Sequence, residues 1–151
     1  MYLTLLTLHS WVRWVVLLGL LVGLGRAYRG WLGRQPFTAL DDTTRHTVAT
    51  VAHVQLVLGY LLYFNSPLVR AFHLRDATHA PSALFFGLQH VAFMTLAVVV
   101  LTLGSALAKR RLTDAGKFRT MALWFTAALL VLVVAIPWPF SVFAQRPYFR
   151  F

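Results

Sequence analysis

Four long apolar stretches constrain this chain more than any other feature. They run approximately from Leu3 to Leu24, Thr47 to Phe64, Ala83 to Ala108 and Met121 to Trp138. Each is long enough to cross about 30 Å of hydrocarbon as a helix. A soluble domain of 151 residues that is 59% hydrophobic and 12% charged could not hide so much apolar surface. In lipid every backbone polar group needs an internal partner, which restricts such segments to helices or closed barrels. The expectation is a single all-α domain over residues 1–151, an integral membrane four-helix bundle. An even number of spans with short connections favours up-down-up-down order. The first apolar run starts at Tyr2 with no basic region before it and no small-residue cleavage site, so it reads as a retained span.

The polar residues give orientation. The connection from Gly25 to Arg45 reads as a loop with a short interfacial turn around Trp31, and that from Lys109 to Arg119 as a tight basic turn. Together they carry Arg26, Arg29, Arg34, Arg45, Lys109, Arg110, Arg111, Lys117 and Arg119. The other side carries only Arg70, Arg75, Arg146 and Arg150. By the positive-inside rule the two basic loops face the cytoplasm, and both termini lie on the outer, periplasmic side of a bacterial cytoplasmic membrane. The net charge of +10 is thus accounted for by topology and contact with anionic lipid rather than by nucleic acid. No basic helix or stacking platform lies outside the spans. Without cysteine there is no disulfide, thiolate metal site, iron–sulfur cluster or covalently attached haem.

Ionisable groups inside a bilayer are costly and are read as functional. His9, Arg13, His53 and His90 interrupt the apolar stretches, and no carboxylate accompanies them. The acids Asp41, Asp42, Asp76 and Asp114 all fall in loops or at helix ends, so the partner of Arg13 is expected outside the protein's own side chains. At about 1.5 Å rise per residue, His9 and His90 occupy similar depth on spans that run in the same direction. Two imidazoles at one level on facing helices suit the axial ligation of haem b. Arg13 is four residues from His9 on nearly the same face and would pair with a propionate. His53 falls about 10 Å deeper by the same count. It is an alternative or second-site ligand, a quinone contact or a proton relay from His46, or a plain imidazole bonded to a helix carbonyl. His46, His53 and Tyr60 recur at seven-residue spacing and share a face.

Other polar residues have simpler readings. His73 and His79 belong to an outer loop, Gln55 and Gln89 suit interhelical hydrogen bonds, and Met94 suits packing. Gly19, Gly23, Gly87 and Gly104, with Ala97, allow close helix approach or clearance for a flat macrocycle. Thr113 or Asp114 is placed to cap the last helix. There is no nucleophile–base constellation, phosphate-cradling loop or acidic metal box, which argues against hydrolysis.

Several short segments together resemble a family of small bacterial four-helix membrane proteins known as b-type cytochromes. They are His9-Ser10-x-x-Arg13-Trp14, His53-x-Gln55-Leu56-x-x-Gly59-x-x-Leu62-Tyr63-Phe64-x-Ser66-Pro67, Gln89-His90 and Ile136-Pro137-Trp138-Pro139-Phe140. The resemblance covers nearly the whole chain and implies His9, His53 and His90 as the histidines of interest. Where Glu-His is expected in the third span this chain has Gln89-His90, which removes a buried acid and speaks against a proton-coupled role. The leading expectation is an electron carrier of the respiratory chain holding one haem b, or two. It would exchange with a quinone or quinol or with a redox protein, as a component of a quinone-linked oxidoreductase, a larger respiratory complex or a homodimer. One rival is a cofactor-free accessory or assembly subunit of such a complex. Another is a copper or zinc membrane protein built on the three histidines.

Overall fold

Local signals decide where each helix starts and stops. The structure, a computed structural model, describes residues 1–70, 81–141 and 146–148. The described residues form helices and connections and contain no strand. The long helices are α1 (Tyr2–Leu32), α2 (Ala39–Asn65), α3 (Pro81–Lys109) and α4 (Asp114–Ala135), and a single turn, Pro67–Arg70, follows α2. All four are long and apolar enough to cross a membrane, the pattern of a multi-pass membrane protein.

Four boundaries differ from the expected ones by three residues or more. Gly25 does not end α1. The helix continues to Leu32 because residues 26–32 acquire tertiary partners: Tyr28 Oη bonds Thr126 Oγ1 at 2.9 Å, and Gly30 lies against the buried Phe118 ring. Trp31 is therefore part of α1, not of a separate interfacial turn. The chain reverses over residues 33–38, with Arg34 in the left-handed region at φ 50°. α2 then starts earlier than expected, at Ala39. The Thr38 backbone N–H and hydroxyl both donate to Asp41 Oδ2, at 2.9 and 2.6 Å, an N-terminal cap. Asp41 is buried and also pairs with Arg26 at 2.7 Å.

Arg45 is correspondingly not a loop residue. It is buried in α2, where it donates to the Ser105 carbonyl and hydroxyl of α3 and to Asp42. Finally, α4 begins at Asp114 rather than Met121, with Thr113 Oγ1 accepting from the Gly116 N–H at 3.1 Å. The basic turn thus shrinks to residues 110–113, and Lys117 and Arg119 are helical. The helix ends at Ala135 rather than Trp138. Ile136 adopts φ −71°, ψ 131°, the extended conformation that a following proline imposes.

Each helix packs against two others. α1 touches α2 and α4, and α3 touches α2 and α4, so α1 and α3 face each other across a diagonal. The interior mixes alanines, Ala27, Ala49, Ala52, Ala97, Ala108, Ala122 and Ala128 among them, with larger side chains such as Leu20, Leu101, Met121 and Phe125. Outward faces carry Leu18, Leu21, Val57, Leu103, Leu130 and Val134. The alanines at helix contacts and the apolar outward faces suit packing in lipid, where close backbone approach replaces the hydrophobic drive. Gly104 is the tightest such contact: a Cβ there would lie 2.2 Å from Trp124 Cβ.

Candidate functional site

Near one end of the bundle, α1, α2 and α3 outlast α4. His9 of α1 lies beside Gly59 of α2, and His90 of α3 bonds the carbonyl of Ala135, the last residue of α4. Beyond that level the fourth side of the bundle is closed by the tail, residues 136–141 and 146–148. A cavity of about 170 Å³ opens in this region. It exceeds engineered apolar cavities of about 150 Å³ that take up benzene.

Both histidines line the cavity, with Arg13, Gln55, Gly59, Tyr63 and Met94 from the helices and Pro137, Arg146 and Pro147 from the tail. The two imidazole centres are 6.4 Å apart, with the ring planes at 71°. A metal ion bound by one nitrogen of each ring, at about 2 Å per bond, sets ring centres roughly 6 Å apart. The observed separation fits that arrangement.

The hydrogen bonds around the two rings differ. His90 Nδ1 donates to the Ala135 carbonyl at 2.9 Å. That bond fixes the tautomer, leaves Nε2 with its lone pair, and is the support that metal-ligating histidines usually have. A wide π turn, Phe85–Gln89, immediately precedes His90, whose backbone N–H bonds the Phe85 carbonyl. Such turns often mark functional sites. His9 Nδ1 is buried with no hydrogen-bond partner, and so is Gln55 Oε1, although Gln55 Nε2 donates to the His9 carbonyl at 3.0 Å. Buried polar atoms without partners are rare, and two on one cavity wall are what a ligand site shows. The glycine beside His9 gives clearance, since a Cβ at Gly59 would lie 3.2 Å from His9 Cε1.

Arg13 lies on the same wall. Its Nη2 donates to the Tyr148 carbonyl at 2.6 Å, and Trp14 Nε1 donates to the same oxygen at 3.2 Å. These bonds hold the tail over the cavity mouth, where the rings of Trp14, Trp138 and Tyr148 meet.

His53 is not brought to this cavity. Its ring is exposed on α2, with Nδ1 donating to the Ala49 carbonyl at 2.8 Å and Nε2 at 3.3 Å from Thr102 Oγ1. Among the described residues no three His, Cys, Asp or Glu side chains gather in one place. His73 and His79 lie outside the described residues. Tyr60 and Tyr63 bond Thr95 Oγ1 and the Gly87 carbonyl, at 2.8 and 3.0 Å, and so join α2 to α3 beside the cavity.

Arg146 is a charged lining residue to which the sequence assigns no site role. In the sequence it counts only towards the charge of the outer side. The signal available was its place a few residues after the aromatic–proline segment that breaks α4. Comparison with family models, curated proteins and solved structures finds no match for this chain.

Proposed function

We propose that the chain is an up-down-up-down bundle of the bacterial cytoplasmic membrane, with both termini on the outer side, that binds haem b through His9 and His90. On this reading it is the b-type cytochrome that its short motifs resemble, a carrier exchanging electrons with a quinol or a redox partner. The observation that carries the reading is the 6.4 Å separation of two imidazoles across the diagonal of an apolar bundle. The supported Nδ1 of His90, the two orphaned polar atoms and the cation at Arg13 agree with it.

Haem b bound there supplies one-electron redox chemistry. His9 and His90 would be the residues that hold its iron, and iron held by two imidazoles would serve electron transfer rather than oxygen binding. The Ala135 carbonyl keeps His90 in one tautomer and fixes the direction of its ring. The small residues Gly59 and Ala97 leave room for a flat ring system, and Leu17, Leu101 and Leu132 exclude water from the inner wall. A macrocycle is several times larger than benzene, so it would extend into the mouth between the helices and the tail.

The direct test is optical. Protein expressed with ample haem and purified in detergent should give a reduced-minus-oxidised Soret and α-band difference, with one haem per chain by pyridine haemochrome. Its absence would remove the proposal. Two substitutions separate this site from its surroundings. His53→Ala should leave the spectrum and haem content unchanged, because the ring is exposed outside the cavity. Gly59→Leu should lower haem content by about tenfold or more, since even a Cβ presses on His9 and a leucine occupies the cavity.

A further inference from the structure

The tail contributes a second guanidinium to the cavity. Arg146 lines it together with Arg13, and its Cζ sits 4.9 Å from the Phe86 ring centre. Phe86 in turn lies 5.8 Å from His90. The tail is held in place from the opposite wall, where Arg13 and Trp14 both donate to the Tyr148 carbonyl. Two arginines from different elements thus border one mainly apolar cavity containing two imidazoles. Guanidinium groups are always charged and match carboxylates with a planar fork. Part-buried beside a mainly apolar wall, such a pair favours an anionic ligand over its neutral analogue.

Resting on the haem reading above, we infer that Arg146 is a further cofactor-binding residue. With Arg13 it makes the cavity selective for a planar macrocycle bearing two carboxylates. The histidines recognise the metal, whereas the arginines recognise the acid groups at the edge of the ring. The order of the chain adds a consequence. Arg13 comes from the first helix and Arg146 from beyond the last, so the selective site is complete only when the tail has docked.

The test titrates the full-length protein in detergent with ferric protoporphyrin IX and, separately, with its dimethyl ester. Affinity and the two-histidine spectrum are both recorded. The free acid should bind at least about tenfold more tightly than the diester. Arg146→Gln and Arg13→Gln should each reduce that preference, mainly by weakening the acid. Arg146→Lys should restore part of it, and an unchanged affinity for the diester in the Gln variants shows that the cavity is intact. Equal affinity for acid and diester, with the two-histidine spectrum intact, would overturn the arginine pair and leave the haem reading standing. The same holds if Arg146→Gln leaves the preference untouched. If neither compound gives a two-histidine spectrum, both readings fall together.

Discussion

Replacing either cavity histidine with alanine should abolish the low-spin, two-histidine spectrum and weaken haem binding by more than about 100-fold, or roughly 3 kcal/mol. The two variants should nevertheless differ in the stability of the haem-free protein. His90 donates to the Ala135 carbonyl at the end of α4, so His90→Ala removes a hydrogen bond as well as a ligand. That loss is worth about 1 kcal/mol. His9 has a buried nitrogen with no partner, so His9→Ala removes a group that costs energy when the cavity holds no ligand. The haem-free His9 variant should therefore melt at or above the parent, and the haem-free His90 variant below it. Thermal unfolding in detergent, followed by circular dichroism, measures both. Equal melting temperatures would show that the asymmetry of the two sites has no energetic weight.

The second large effect concerns the scaffold. At Gly104 a Cβ would sit 2.2 Å from Trp124 Cβ, the inflexible base of a side chain that cannot swing clear. Gly104→Ala should push α3 and α4 apart and cost at least about 1–3 kcal/mol, the usual range for overpacking. Gly25 provides the control. A Cβ there meets nothing within 4 Å, so Gly25→Ala should leave stability unchanged or raise it by up to about 1 kcal/mol through helix propensity. A lower unfolding midpoint for the Gly104 variant with none for the Gly25 variant is the expected result. Similar behaviour of the two would mean that α3 and α4 do not depend on close approach.

Much of the scaffold was legible because lipid-length apolar runs leave few alternatives. The number of long helices and the level shared by His9 and His90 follow from counting residues at fixed rise, and the Thr113 cap from the chemistry of its side chain. What escaped depends on tertiary contact. Gly25 and the basic residues after it look like a helix end, yet Phe118 and Thr126 of α4 draw the helix on to Leu32. Pro137 was a visible stop, but hydropathy carried the expected span past it to Trp138.

His53 shows a further limit. Positions 53 and 60 do share a face, Tyr60 bonding Thr95 and His53 meeting Thr102 of α3, but they stand about 10 Å apart along α2. Tyr60 reaches the cavity and His53 does not. Nothing in the spacing said which level of that stripe would open onto a cavity. Arg146 escaped for a different reason: residues in a connecting tail have no periodicity from which a direction can be read.

The wide turn at Phe85–Gln89 holds one surplus residue just before His90. Deleting a single position within it would let α3 wind regularly through to the imidazole. Everything earlier in α3, Phe85 and Phe86 included, would then swivel by about 100° relative to the ring. The rest of the helix, from His90 to Lys109, would keep its seating against α4. The surplus residue thus acts as an angular offset that lets the two ends of one rod satisfy separate neighbours.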